Sequence, residues 1–335
     1  MMDHLDRRAF VSTVALVSVI GCSRSAKAAT IDGRTFAGDG SGEGLRAQSG
    51  LTIKNSRFLN LGNGAIRVNV ATDGLIVEQV EGRDLYRFLE NTASDRSKPA
   101  SLTNFRLRQI TGEDIHRAMT RIRYGSRDGV IEDVIARASA ETERYCTGFV
   151  LDDEAQSIIY RRCEAHGFAE RDRSSGDYWN GDGFSDERGN KAIEYLSCTA
   201  TGSTDGGFDL KSSDVLLSDC TAKDNKRNFR LWGSGKAENC RSEDPRSRGG
   251  SGRSAHFSFH GGSAKFVIDR PVVRASADND SPVFLFDNDA PANIEIRNAD
   301  IDAPGAPLIL AENSMPNIKW VPPREDQLIR TMDEN

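Results

Sequence analysis

Three aspartates, a lysine, an arginine and several aromatic side chains recur at one place in successive short segments of this 335-residue chain. Asp182 stands in Asn180-Gly181-Asp182-Gly183-Phe184, and Asp205, Asp209 and Lys211 in the run from Thr204 to Lys211. Arg230 and Trp232 follow Phe229, and His256 and His260 flank Phe257-Ser258-Phe259. Side chains alternate between the two faces of a strand. With Phe184, Phe208, Phe229 and Phe257 turned inward, Asp209, Lys211, Arg230, Trp232 and His260 turn outward, and Asp182 and Asp205 lie just ahead of their strands. If the segments stack at about 4.8 Å, Asp209 and Arg230 become direct neighbours. Asp182, Asp205 and Asp209 then add three clustered carboxylates to one patch. An arginine or lysine beside them can neutralise a substrate carboxylate. Lys211, close to the charge of Arg230, would have a lowered pKa and could take a proton.

The repeat that must position these groups is legible along the chain. One column holds Phe149, Phe184, Phe208, Phe229, Phe257 and Phe284, with Phe88 upstream. A second holds Cys163, Cys198, Cys220 and Cys240, its place taken earlier by Val80, Ile110 and Val134. Repeats of roughly 20–35 residues built from short strands and Gly, Asn, Asp and Ser turns mark a parallel β-helix. The expected fold is all-β: a single-domain, right-handed parallel β-helix of about ten coils over residues 51–310. A glycine-rich lead-in over 29–50 and a tail over 311–335 would cap it. A hydrophobic fraction of 37 %, 31 glycines and a mean hydropathy of −0.52 suit such a narrow core. The aligned cysteines read as small buried hydrophobes in a reduced packing ladder, and no Cys/His spacing suggests zinc.

Residues 1–28 read as an export signal. Arg7-Arg8-Ala9-Phe10 precedes an apolar run from Val14 to Ile20 and resembles a twin-arginine leader. Ala26-Lys27-Ala28 would release a soluble protein, whereas Val19-Ile20-Gly21-Cys22 resembles a lipobox that would place a lipid on Cys22. The expected location is therefore periplasmic, outer-membrane-anchored or secreted. The apolar run is too short to span a bilayer core of ~30 Å.

Two irregular insertions flank the charged patch. Residues 171–181 carry Tyr178 and Trp179, and residues 241–253 are basic and glycine-rich. Inserted loops on a rigid solenoid commonly wall a binding groove. Net charge is −6, which argues against a nucleic acid partner, yet Lys223, Lys226, Arg227, Arg230, Arg241, Arg246, Arg248 and Arg253 crowd one span. The pattern suits an anionic sugar chain bound by a monomer, with Tyr178, Trp179, Trp232, His256, His260 and Arg227 in contact with it. The bland readings are Asp-Gly turns and a surface salt bridge between Asp209 and Arg230.

The segment from Cys163 to Gly235 resembles the central region of the family 9 pectate lyases, right-handed β-helix enzymes. The resemblance lies in Asp182-Gly183-Phe184, Thr204-Asp205-Gly206-Gly207-Phe208-Asp209-Leu210 and Asn228-Phe229-Arg230-Leu231. It implies calcium ligands at Asp182, Asp205 and Asp209 and a base at Arg230. The chain departs from the pattern in carrying Gly206 where the family has a second aspartate and Arg230 where it has lysine, so Lys211 rivals Arg230 as the base. The implied activity is a polysaccharide lyase cleaving a uronate polymer by β-elimination. A base removes the C5 proton, a cation stabilises the enolate-like charge, and the C4–O bond breaks. Three alternatives stand beside it: a C5-epimerase, which begins with the same proton abstraction; a β-helix glycosidase using paired carboxylates among Asp182, Asp186, Glu187 and Asp209, although alternation turns Asp186 inward; and a non-catalytic glycan-binding surface lipoprotein.

Overall fold

The structure is a computed structural model that describes residues 29–93, 95, 97–171, 173–174, 176–260, 264–287, 291–311, 315–324 and 329–331. The leader, with Arg7, Arg8, Cys22 and Ala26-Lys27-Ala28, lies outside the described residues. The chain winds as a right-handed parallel β-helix in which each short strand pairs in parallel with the matching strand of the next coil.

The phenylalanine column is the spine of this architecture. Phe149, Phe184, Phe208, Phe229, Phe257 and Phe284 are in register and buried. Successive ring centroids lie 4.8, 4.8, 5.2, 4.8 and 5.7 Å apart. These spacings follow from the strand separation of about 4.8 Å, and each ring pair adds about 0.5–1.5 kcal/mol beyond burial. Tyr160 and Tyr195, stacked on each other at 5.2 Å, meet these rings edge-on. Phe88 does not belong to the column. A register shift after Ile115 places Leu89 opposite Thr120 and hence in line with Phe149, while Phe88 packs edge-on against Phe58.

The cysteine column also holds: Val80, Ile110, Val134, Cys163, Cys198, Cys220 and Cys240 are buried, and the four cysteines carry free thiols. Immediately before the cysteines runs a column of left-handed residues, Arg162, Ser197, Asp219 and Asn239, with φ of 50, 54, 56 and 50°. Stacked left-handed residues turn the chain at the same corner in every coil.

The solenoid extends past both expected boundaries. Thr30–Asp32 and Thr35–Ala37, in the expected lead-in, pair with the next coil, and Phe36 stacks on Phe58 at 4.8 Å. Asn317–Val321 and Ile329–Thr331 pair onto the preceding coils in the expected tail. Followed from Leu45 to Ile329, the sheet that carries the phenylalanines has twelve rungs among the described residues rather than about ten. The end coils bury apolar side chains without the phenylalanine signature, so type alone does not reveal them.

Candidate functional site

Strands Asp182–Asp186, Gly206–Leu210, Arg227–Leu231 and Ala255–His260 lie side by side, and Ser185, Asp209, Arg230 and Ser258 occupy consecutive rungs. Alternation thus puts Asp209 and Arg230 on the outer face while their phenylalanine neighbours fill the core. Asp182, Asp205 and Asp209 converge, each offering a carboxylate oxygen within 4.8 Å of the other two. All three are buried beneath the flanking insertions.

Calcium does not fit this arrangement. Asp182 Oδ1 accepts from the Gly206 backbone N–H at 2.7 Å, Asp205 Oδ1 from Arg227 at 2.9 Å, and Asp205 Oδ2 from Arg230 at 2.8 Å and from the Tyr178 hydroxyl. Asp209 Oδ1 accepts from Trp232 Nε1 at 2.7 Å, and its Oδ2 faces Lys211 at 3.3 Å and Arg230 at 3.5 Å. Five of the six oxygens thus already face protein donors, and Arg227, Arg230 and Lys211 stand against the carboxylates of Asp205 and Asp209. A divalent ion needs those same oxygens and would meet three cations. The aspartates are more than turn residues: their carboxylates bond across coils, Asp182 to the Gly206 N–H of the next coil and Asp205 to Arg227 and Arg230.

The same network fixes protonation. Burial disfavours charge on Arg230, but Asp205 and Asp209 outweigh it and push its pKa up. Lys211 behaves alike: burial works against its charge, yet Asp209 and Glu187, the latter 2.6 Å from Nζ, push its pKa up. The expectation that Arg230 would lower Lys211 is therefore overturned, because two carboxylates stand closer to the ammonium than the guanidinium's influence can offset. Both groups are held as cations. Burial would raise Asp209 too, but Arg230, Lys211 and Trp232 hold it below its usual range. Asp182 receives no such partner, and burial together with Asp205 and Asp209 pushes its carboxyl well up.

The aromatic residues divide. Arg230 lies between two rings, its guanidinium carbon 5.6 Å from the Tyr178 centroid and 4.6 Å from that of Trp232. Tyr178 is 39 % exposed, and its hydroxyl accepts from Arg230 at 2.7 Å while donating to Asp205. Burial of that hydroxyl and Asp205 push the phenol pKa up, so it keeps its proton. Trp232 stacks on His260 at 4.6 Å. His260 faces Ser258 Oγ through Nε2 at 3.2 Å and Asp287 through Nδ1 at 3.3 Å. Burial, then Arg230, Arg227 and Lys211, hold it well below the usual imidazole range, so it is neutral at pH 7.

Three expected contact residues do other work. Trp179 does not face an open groove: its ring covers Gly249 and Gly250 and its Nε1 donates to the Ser174 carbonyl at 3.0 Å. With Ser251 N–H bonded to the Asp177 carbonyl at 2.9 Å, it latches the two insertions together. His256 is fully buried and bonded to Ser242 Oγ at 2.8 Å, in a polar column with Asn228 inside the coil. Strict alternation from Phe257 would put it on the face of Ser258 and Arg230; its bond to Ser242, shared with Asn228 of the preceding rung, holds it inside the coil instead. Arg227 is also buried, committed to Asp205. Asp186 points inward, bonded to the Lys211 and Ser212 backbone N–H groups, the Ser212 hydroxyl and Tyr195, so it cannot act as a glycosidase carboxylate.

Two features escaped the sequence reading. Lys226 is buried against the 241–253 insertion, donating to the Ser251 carbonyl, and burial and Arg227 bring its pKa down to about 8. A cavity of about 190 Å³ next to Asp182 and Lys211 is lined by Arg87, Arg117 and Arg121 from upstream coils. The spacing between Ala118, Thr147 and Asp182, which share a column, was the available signal.

Fold and site together define a right-handed parallel β-helix protein with a charged site on the outer face of one sheet. Among solved structures the chain is similar to a mutant of the periplasmic alginate epimerase AlgG, at 9 % identity with a TM-score of 0.54, over 87 % of this chain and 73 % of that one. It also matches the A-module of the Azotobacter vinelandii mannuronan C-5 epimerase AlgE4 at 14 % identity (TM-score 0.46, 85 % of this chain and 88 % of that one). A Dettilon tailspike protein matches at 12 % identity, with a TM-score of 0.37 over 87 % of this chain and 60 % of that one. At such identities the likeness concerns the fold. No family model and no curated protein matches the chain, so membership of the family 9 pectate lyases is not shown.

Proposed function

We propose that this protein is an exported enzyme that modifies a uronate-containing polysaccharide by abstracting the C5 proton and returning one to the opposite face of the ring. The observation that carries this reading is Arg230. Its guanidinium is held charged by two buried carboxylates and set between Tyr178 and Trp232 on the outer face. A fixed cation in a partly dry site stabilises the enolate-like charge that builds on a uronate carboxylate when C5 loses its proton. Arg230 and Lys211, both held protonated, act as that cation and not as the base. His260 is kept unprotonated and accepts the proton, with Asp287 orienting its other nitrogen. Because His260 is only 2 % exposed and stacked on Trp232, this role requires that Trp232 shift when the polymer binds. Tyr178, on the other side of Arg230, retains its hydroxyl proton and supplies one to the opposite face. No step requires calcium.

C5-epimerisation is favoured because proton-active groups flank Arg230 on both sides. An alginate epimerase with the same fold is in keeping with it. β-Elimination is the second reading, supported by the lyase-like motifs between Cys163 and Gly235. The leader-like residues 1–28 support export to the periplasm, free or lipid-anchored at Cys22. A panel of polymannuronate, polygalacturonate and glucuronan, incubated with the purified protein and read by proton NMR, tests the proposal. Inverted C5 signals support epimerisation, unsaturated uronate ends support elimination, and an unchanged panel refutes both.

A further inference from the structure

Upstream of Ser185 the outer-face column continues through Val150, Arg121, Glu90 and Arg67. Here the charge balance changes. Glu90, only 4 % exposed, has four guanidinium groups around it: Arg87 at 2.9 Å, Arg67 at 3.5 Å, Arg121 at 3.7 Å and Arg123 at 3.9 Å. Asp152 adds one more carboxylate, 3.3 Å from Arg121. Arg117 lies 5.5 Å from the centre of the Tyr145 ring and pairs with no carboxylate among the described residues. Five arginines thus face two carboxylates, in a chain whose net charge is −6.

Arg87, Arg117 and Arg121 of this group line the 190 Å³ cavity together with Lys211 and the carboxyl groups of Asp152, Asp182 and Glu187, of which Glu187 pairs with Lys211 and Asp152 with Arg121. Ser185 and Val150 form a low floor, Lys211 closes it downstream, and Tyr145 is 45 % exposed at its rim. Arg87, at its wall, is 7 % exposed, and its Nε–H has no hydrogen-bond partner, a state it shares with Arg67, Arg227 and Arg230. A buried donor left unpaired is costly and calls for an explanation. Like-charged guanidiniums packed around an open space supply one: they await an anion with two oxygens in a plane, the geometry that guanidinium forks match.

We propose that this arginine pocket is a second carboxylate subsite, which binds another uronate residue of the polymer whose reacting residue lies at Arg230. It rests on the polyuronate reading. Four rungs separate Arg121 from Arg230, about 19 Å at ~4.8 Å per rung. A glycan laid along the solenoid axis therefore has to be roughly five residues long, at about one residue per rung, to fill both places. The subsite sets a minimum substrate length and selects polymers with frequent carboxylates.

Calorimetric titration with uronate oligomers of graded length tests this on wild type, Arg117→Gln and Arg117→Glu. Arg117 touches none of the reacting groups, and thermal unfolding of each variant checks that the fold is kept. The expected result is a jump in wild-type affinity near five residues. Arg117→Glu abolishes that jump, about tenfold or more, and Arg117→Gln reduces it, while dimers and trimers bind all three proteins alike. A length-independent effect, or no effect of Arg117→Glu on the long oligomers, overturns the subsite and leaves the reaction assignment standing. Failure of wild type to bind any polyuronate removes the polymer reading and the subsite with it.

Discussion

Two charged regions share one column of the β-helix, a few rungs apart, and are built on opposite principles. Around Arg230, the carboxylates of Asp205, Asp209 and Glu187 are matched by Arg227, Arg230 and Lys211, burial pushes the Asp182 carboxyl well up, and nearly every aspartate oxygen has its donor. Around Glu90, five arginines share two carboxylates, and Arg117 pairs with neither. A balanced network is rigid and pre-organised, because each member holds the next in place. An unbalanced one is a binding surface that is completed by its ligand. The contrast suggests that the first region performs the chemistry and the second holds the polymer.

The largest effect should come from breaking the balanced region. Arg230→Ala should lower kcat by about 10²–10³ through loss of transition-state charge stabilisation. It should also cost roughly 3–5 kcal/mol of stability, because Asp205 and Asp209 lose a buried partner. Arg230→Lys should restore part of the stability and little of the turnover, since a lysine nitrogen that replaces Nη1 between Asp205 and Asp209 leaves no second donor for a substrate carboxylate. Turnover assays and urea unfolding on the same preparations separate the two losses. A stable, fully active Arg230→Ala enzyme would show that the balanced network is ordinary surface pairing.

His260→Gln comes next. It should reduce kcat by about 10²–10⁴ with little change in KM, because a general base acts on the chemical step. Tyr178→Phe should also reduce kcat. If Tyr178 only anchors the loop, KM will move instead.

Interior groups offer a control that should leave the groove untouched. His256 has its pKa pushed down to about 4 by burial, so its stabilising neutrality is lost as pH falls from about 6.5 to 4. Asp186 has its pKa pushed up to about 6 by burial, so stability is lost as pH rises from about 3.9 to 6. Each is worth about 3 kcal/mol, and the two nearly cancel. The single variants therefore unmask one slope each, read against wild type from pH 4 to 6. Asp186→Asn should expose a rise with pH, and His256→Gln a fall, in chemical denaturation at several pH values. The smallest effect should come from calcium removal: excess chelator should change neither turnover nor the unfolding midpoint, because the carboxylate oxygens are already engaged.

The fold was legible because like stacks on like. Phenylalanine and cysteine columns repeat at visible intervals, and alternation from Phe208 and Phe229 placed Asp209 opposite Arg230. The convergence of Asp182, Asp205 and Asp209 could be read from the same register. Protonation was not legible, because it depends on which donors fill which oxygens: Glu187 and Asp209 raise Lys211, a result that linear spacing does not convey. Nor did the register extend far enough upstream. Thr120 and Leu89 hold the phenylalanine place without its signature, so Arg117 and Arg121 could not be aligned with the site. His256 and Trp179 were misplaced for another reason: type suggested a sugar contact, whereas the coil interior and the neighbouring insertion claimed them.

Solvent deuterium at C5 tests the central claim most directly. The polymer found active in the panel would be incubated in D₂O with wild type and with Arg230→Ala, and the C5 positions read by NMR. The account predicts deuterium at C5 of inverted residues with the wild type, without chain cleavage, and none with Arg230→Ala. Products free of deuterium, or equal incorporation by both proteins, would contradict it.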